Sequence, residues 1–116
     1  MSDDLQSLTQ ALRDFAKARD WEPFHSPKNL ASALSVEAAE LLEHFQWLTE
    51  AQSRTLDAPK KSEVAAEAAD VLLYLLQLCD QLDIDLVEAA RLKMIVNGEK
   101  YPVATARGSS QKFTAN

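Results

Sequence analysis

The sequence predicts an all-α fold, a four-helix bundle, and three observations carry that reading. Glycine occurs twice and proline four times, where average usage would give roughly 8 and 6. That is too little turn chemistry for a sandwich or small barrel. Apolar residues recur at helical spacing in four separate stretches. Pro23, Pro27, Pro59 and Pro102 fall between those stretches or at their ends, where proline is tolerated.

The first helix carries Leu5, Leu8, Leu12 and Phe15, with Asp3 and Asp4 in its first turn and Lys17 and Arg19 in its last, the charge order that suits a helix dipole. It should end near Trp21, because Glu22-Pro23 disfavours continuation. Ser26-Pro27 reads as an N-cap followed by proline at the first helical position. The second helix places Leu30, Leu34, Leu41, Phe45 and Leu48 on one stripe and is expected to run to about Thr49. A linker from Ala51 to Pro59 follows. The third helix, from about Lys60 to Leu82, has Val64, Ala68, Val71, Leu75, Leu78 and Leu82 in register. Asp83 or Asp85 can cap a fourth, which carries Leu86, Ala90 and Met94 and stops before Pro102. Residues 1–103 are expected to form one domain. Residues 104–116 have no periodicity and read as a flexible polar tail. The wide apolar face of the third helix suggests burial against more than one neighbour, and hence a homo-oligomer.

Composition narrows the function. A chain of 116 residues and 12.9 kDa has room for one domain, and 47% hydrophobic with 26% charged residues is an ordinary soluble mixture. A net charge of −6 argues against binding to nucleic-acid polymers or anionic membranes. Cys79 is the single cysteine, which rules out an internal disulfide or a cysteine-based metal cluster and fits a reducing compartment. It sits in an apolar run and reads as core. The opening MSDDLQSL is acidic and lacks the apolar centre of a signal peptide. The longest uncharged apolar run, Val71 to Cys79, is half a membrane span. A cytoplasmic protein is expected.

Chemistry enters with carboxylates on the wrong face. At 100° per residue Glu37 falls inside the apolar stripe between Leu34 and Leu41, and Glu40 lies beside it at i+3. On the third helix Glu63, Glu67 and Asp70 form a column along the apolar edge, continued by Tyr74. Between Lys61 and Arg91 the chain has no Lys or Arg, so helical pairing is not expected to neutralise this column. Burying an unpaired carboxylate costs several kcal/mol, which calls for a cation. Glu37-x-x-Glu40 and Glu67-x-x-Asp70, on neighbouring helices, could face each other, and all-oxygen ligands suit Mg²⁺ or Mn²⁺. A solvated acidic edge is the alternative, with Glu63 its best member. Lys93, Asn97 and Tyr101 at i, i+4 and i+8 offer a cation, an amide and a hydroxyl in one column, either a ladder for a polyphosphate or an exposed polar face. Trp21 and Trp47 flank the acidic pairs and could stack on a base or belong to the core. His25 beside Ser26-Pro27 fits a loop contact or a substrate contact. His44 projects near Glu37 and Glu40, but one histidine makes a poor ligand set.

Glu37-x-x-Glu40, a gap, then Glu67-x-x-Asp70 resembles the metal-binding signature of the MazG-like all-α nucleoside triphosphate pyrophosphohydrolases. The segments DWEPFHSPKNL (20–30), FQW (45–47), DVLLY (70–74) and KMIVNGEKYP (93–102) are similar to the dCTP pyrophosphatase branch, and together they span nearly the whole chain. The resemblance implies a helical bundle that dimerises or forms tetramers with shared active sites. It implies Mg²⁺-dependent cleavage of a nucleoside triphosphate to monophosphate and pyrophosphate, with dCTP or a modified dCTP as the expected substrate in nucleotide-pool housecleaning. Carried over, Glu37, Glu40, Glu67 and Asp70 hold metal and serve catalysis. Lys93, Asn97 and Tyr101 contact phosphate or sugar, and Trp21, Trp47 and Tyr74 shape the base pocket. This chain departs from some relatives where they carry glycines around the first carboxylates and it has Ser35, Val36, Ala38 and Ala39. Leu12 stands where one branch has a histidine near the base. Rival readings are dUTP or noncanonical triphosphates on the same fold, and a noncatalytic helical interaction module. A ferritin-like di-iron site needs Glu-x-x-His pairs on two helices, and the one such spacing here, Glu22-x-x-His25, falls at the Pro23 break.

Overall fold

The computed structural model describes residues 3–112; the first two residues of the chain and the last four of the expected tail lie outside them. The protein is all-α. Its order is α1 (Asp3–Ala18), a single 3-10 turn (Glu22–Phe24), α2 (Pro27–Glu43), α3 (Glu50–Ser53), α4 (Ala58–Gln81), α5 (Leu86–Lys100) and α6 (Val103–Ala106). The third predicted helix is α4, and the fourth is α5.

Local chemistry explains each boundary. Ser26 Oγ accepts from Asn29 N–H at 3.1 Å with Pro27 opening α2, the expected cap. Asp57 Oδ1 accepts from Lys60 N–H at 2.8 Å, which starts α4 two residues earlier than expected. The two candidate caps after α4 divide the work. Asp85 Oδ1 accepts from Glu88 N–H at 3.1 Å and opens α5. Asp83 takes a left-handed conformation, φ 53°, and closes α4. Its N–H donates to Asp80 O and that of Ile84 to Cys79 O, a Schellman ending. Asp20, also at φ 53°, ends α1 in the same way through Asp20 N–H to Lys17 O and Trp21 N–H to Ala16 O. Aspartate tolerates the conformation that glycine usually supplies, which fits a chain so poor in glycine.

The second helix is shorter than expected. It ends at Glu43 and passes through tight turns at His44–Leu48. A capping box then starts α3: Thr49 Oγ1 accepts from Gln52 N–H at 3.1 Å and Gln52 Oε1 from Thr49 N–H at 2.9 Å. Part of the expected tail is helical as well, in α6.

The core lies where α1 and α2 pack on α4. Leu30, Leu76, Ala16 and Cys79 are buried there, and burial raises the Cys79 thiol above its ordinary value. Arg13 on α1 ties to Asp80 on α4: its Nε donates to Oδ2 at 2.8 Å and its Nη2 to Oδ1. That guanidinium holds the Asp80 carboxyl below the usual carboxylate range. Among the described residues no comparable packing joins α5 to the other helices, and Leu92, Met94 and Ile95 are exposed along it. The radius of gyration is 17.6 Å, against about 13 Å for a compact chain of about 100 residues. The four long helices of the expected all-α fold are therefore present, in an arrangement left open where α5 packs least on the others. Exposure is greatest on α5, whereas the apolar face of α4 is already half-buried.

Candidate active site

Two helices bring the acidic set together. Glu37, on the α2 stripe that packs against α4, meets Glu67 and Asp70 of α4, with carboxylate oxygens all within 4.8 Å of one another. Glu40 lies outside this closest group, one turn along α2, and still acts on Glu37. The Glu37 carboxyl is pushed up to about 7, first by a hydrogen bond shared with Glu40, then by one with Glu67, by burial and by repulsion from both charges. Fully ionised carboxylates cannot donate to one another, and in that state Glu37 Oε2 and Glu67 Oε2 are buried with no partner. Two orphaned buried oxygens facing one point fit a hard divalent cation.

Glu63, at the head of the same column, lies apart from this set. Lys60 Nζ approaches it at 3.4 Å and His44 Nδ1 at 3.8 Å. Helical pairing does neutralise this member, because Lys60 stands just before the cation-free stretch. His44, bridged to Lys60 Nζ at 3.3 Å, is committed to that cluster.

A cleft of about 380 Å³ opens beside Asp70, between α1 and α4. Trp21, His25, Tyr74 and Asp70 line it. Trp21 packs edge-on against Phe15 with ring centres 5.7 Å apart and against His25 at 6.3 Å. The remaining wall is mostly aliphatic, with Leu8, Leu12 and Leu73, and one further polar side chain, Gln77. Sequence reasoning passed over Gln77, although it continues the Asp70–Tyr74 face of α4. A larger cleft of about 480 Å³ lies beyond His25 and Gln77 and holds none of the carboxylate set.

The other expected contacts are elsewhere in the chain. Trp47, in the turn after α2, is 87% exposed. Lys93 and Asn97 lie on α5, and Tyr101 caps its C-terminus. None of the four lines the cleft beside Asp70. The chain thus brings together Glu37, Glu67 and Asp70 and two of the three expected aromatic residues, Trp21 and Tyr74, and leaves the phosphate column on the helix that packs least.

Comparison with known proteins identifies the family. A match to the MazG-like family covers residues 32–115. Relatives include dCTP pyrophosphatase 1 of Mus musculus, 40% identical over 112 residues, covering 95% of this chain and 66% of the relative. The Homo sapiens protein of that name is 38% identical over the same shares. The chain therefore spans just under two thirds of those relatives' length. A crystal structure of a pyrophosphatase from Archaeoglobus fulgidus superposes with a TM-score of 0.73 at 42% identity, covering 88% of this chain and 95% of that one. From its helical order, its carboxylate cluster and these matches together, the chain belongs to the MazG-like family.

Proposed function

We propose that this protein hydrolyses a nucleoside triphosphate at the α–β anhydride, releasing the monophosphate and pyrophosphate, with dCTP or a 5-modified dCTP as the preferred substrate. One observation carries the reading: the Glu37, Glu67 and Asp70 oxygens converge within 4.8 Å, and Asp70 also lines a cleft of about 380 Å³ shared with Trp21 and Tyr74. Glu37, Glu40, Glu67 and Asp70 would hold Mg²⁺, or Mn²⁺ in its place, which when bound supplies charge screening for the triphosphate and polarises the phosphorus. A carboxylate oxygen of the same set orients the attacking water and takes its proton. A carboxyl held near neutrality, as Glu37 is, suits that exchange. Trp21 and Tyr74 offer ring faces to the base, while Leu8, Leu12 and Leu73 exclude water around it. Lys93, Asn97 and Tyr101 would reach the phosphates or sugar from a second copy of the chain, with Trp47 completing the pocket in the assembled site. Residues 1–103 act as the catalytic domain, in the cytoplasm.

Pyrophosphate release from a panel of deoxynucleoside triphosphates, with Mg²⁺ and with excess chelator, tests the reading. Release from dCTP that vanishes in chelator is expected; full turnover in chelator, or no turnover of any triphosphate, would overturn it. A higher kcat/KM for a purine would remove the dCTP assignment alone.

A further inference from the structure

We propose that Gln77 reads the edge of the base and selects a pyrimidine bearing an exocyclic amine over one bearing an oxo group at the same position; this rests on the nucleotide-hydrolysing reading above. Asp70, Leu73, Tyr74 and Gln77 share one face of α4 and all line the same cleft. At about 1.5 Å per residue, Gln77 lies about 10 Å along the axis from Asp70. A nucleotide whose phosphates sit at the carboxylates and whose ring lies against Tyr74 therefore ends at Gln77.

The amide is held in one orientation. Its Nε2 donates to Leu73 O at 3.1 Å, and among the described residues its Oε1 has no hydrogen bond. That oxygen is also not among the sealed, unpartnered ones, so it remains open to a ligand. Turning the amide over would set Oε1 against the Leu73 carbonyl, acceptor against acceptor. Gln77 stands between this cleft and the larger one beyond it, with its Oε1 taken as the acceptor offered to the base in an otherwise mostly aliphatic wall. The other polar groups there offer no dedicated acceptor: an indole N–H only donates, while a tyrosine hydroxyl and an imidazole can serve as either donor or acceptor. Asp70 is committed to the carboxylate set.

The 4-amino group of cytosine donates to such an oxygen. Uracil and thymine put an oxygen there instead and leave two acceptors facing each other. A site built to hydrogen-bond one group rejects the analogue lacking it far better than an apolar wall does.

The test is kcat/KM for dCTP, dUTP and the 4-deamino pyrimidin-2-one analogue of dCTP, on the wild-type protein and on Gln77→Met. The wild type should favour dCTP over both others by roughly 10- to 100-fold. Gln77→Met, which keeps length and helix propensity, should lower dCTP turnover by about the same factor, leave the 4-deamino analogue nearly unchanged and, by removing the facing acceptor, leave dUTP turnover the same or higher. The 4-deamino analogue should lose nothing further in the variant, because amine and amide act as one pair. A dCTP:dUTP ratio unaltered by Gln77→Met would overturn the proposal. So would equal wild-type rates for dCTP and its 4-deamino analogue, a comparison that does not depend on how the variant folds. Equal hydrolysis of all three substrates would remove the role of Gln77 and leave the enzyme reading standing. Absence of pyrophosphate release from every triphosphate would remove both.

Discussion

Glu37 is the residue on which pH acts most directly. Its carboxyl rises from 4.5 to about 7 in the folded chain, so the folded state holds that proton more tightly than the unfolded state. The stability it contributes is full below its unfolded value and is lost as pH rises through about 7. In chelator, thermal unfolding should therefore occur at progressively lower temperature from about pH 5 to about pH 8, and Glu37→Gln should flatten that slope; identical slopes would refute the shared-proton account. Cation binding needs the ionised form, so affinity for Mg²⁺ should weaken below about pH 7. Glu40→Gln and Asp70→Asn should each lower kcat/KM by at least about 100-fold, while their melting temperatures hold or rise because repulsion is relieved. A fully active variant, or one that unfolds, would contradict this. The carboxylates were legible beforehand because helical angle alone puts Glu37 in an apolar stripe. Gln77 was not, because its meaning depends on a bond to Leu73 and on α1 forming the opposite wall. Arg13 and Asp80, 67 positions apart, were equally beyond local pattern.

Helix boundaries depend on single side chains at the helix ends, and most were readable for that reason. Ser26, Asp57 and Asp85 each satisfy a backbone N–H three residues on. Asp57→Ala should cost about 1 kcal/mol, read as a lower unfolding midpoint in urea with unchanged slope; an unchanged midpoint would mean that α4 is held by packing alone. The end of α2 was missed although Thr49-x-x-Gln52 has the capping-box pattern, because the apolar stripe through Phe45 and Leu48 continues across it. Periodicity describes which face is apolar and does not reveal that the axis has turned. The turn matters for the site, since it carries Trp47 out to an 87% exposed position where another chain could meet it.

At the scale of the molecule the arrangement is incomplete. An extent of 51 × 36 × 27 Å leaves α5 without the packing that α1 and α2 enjoy on α4. A helix of 15 residues is marginal in water when nothing packs on it. We propose that a second copy, in a dimer or tetramer, covers Leu92, Met94 and Ile95. Sedimentation at micromolar concentration should show an assembly larger than one chain, and Ile95→Asp should shift it towards monomer; a fully active monomer would overturn this. No sequence pattern could have shown the vacancy beside α5, because an apolar face looks the same whether its cover comes from its own chain or another.

The weakly supported α5 also bears Lys93 and Asn97. If that helix is ordered only on association, turnover per chain becomes a function of protein concentration. Dilution would then dim the enzyme by mass action without damaging any single molecule, and excess chains would restore it. Abundance would set the rate twice, once through the number of sites and again through the fraction that is assembled.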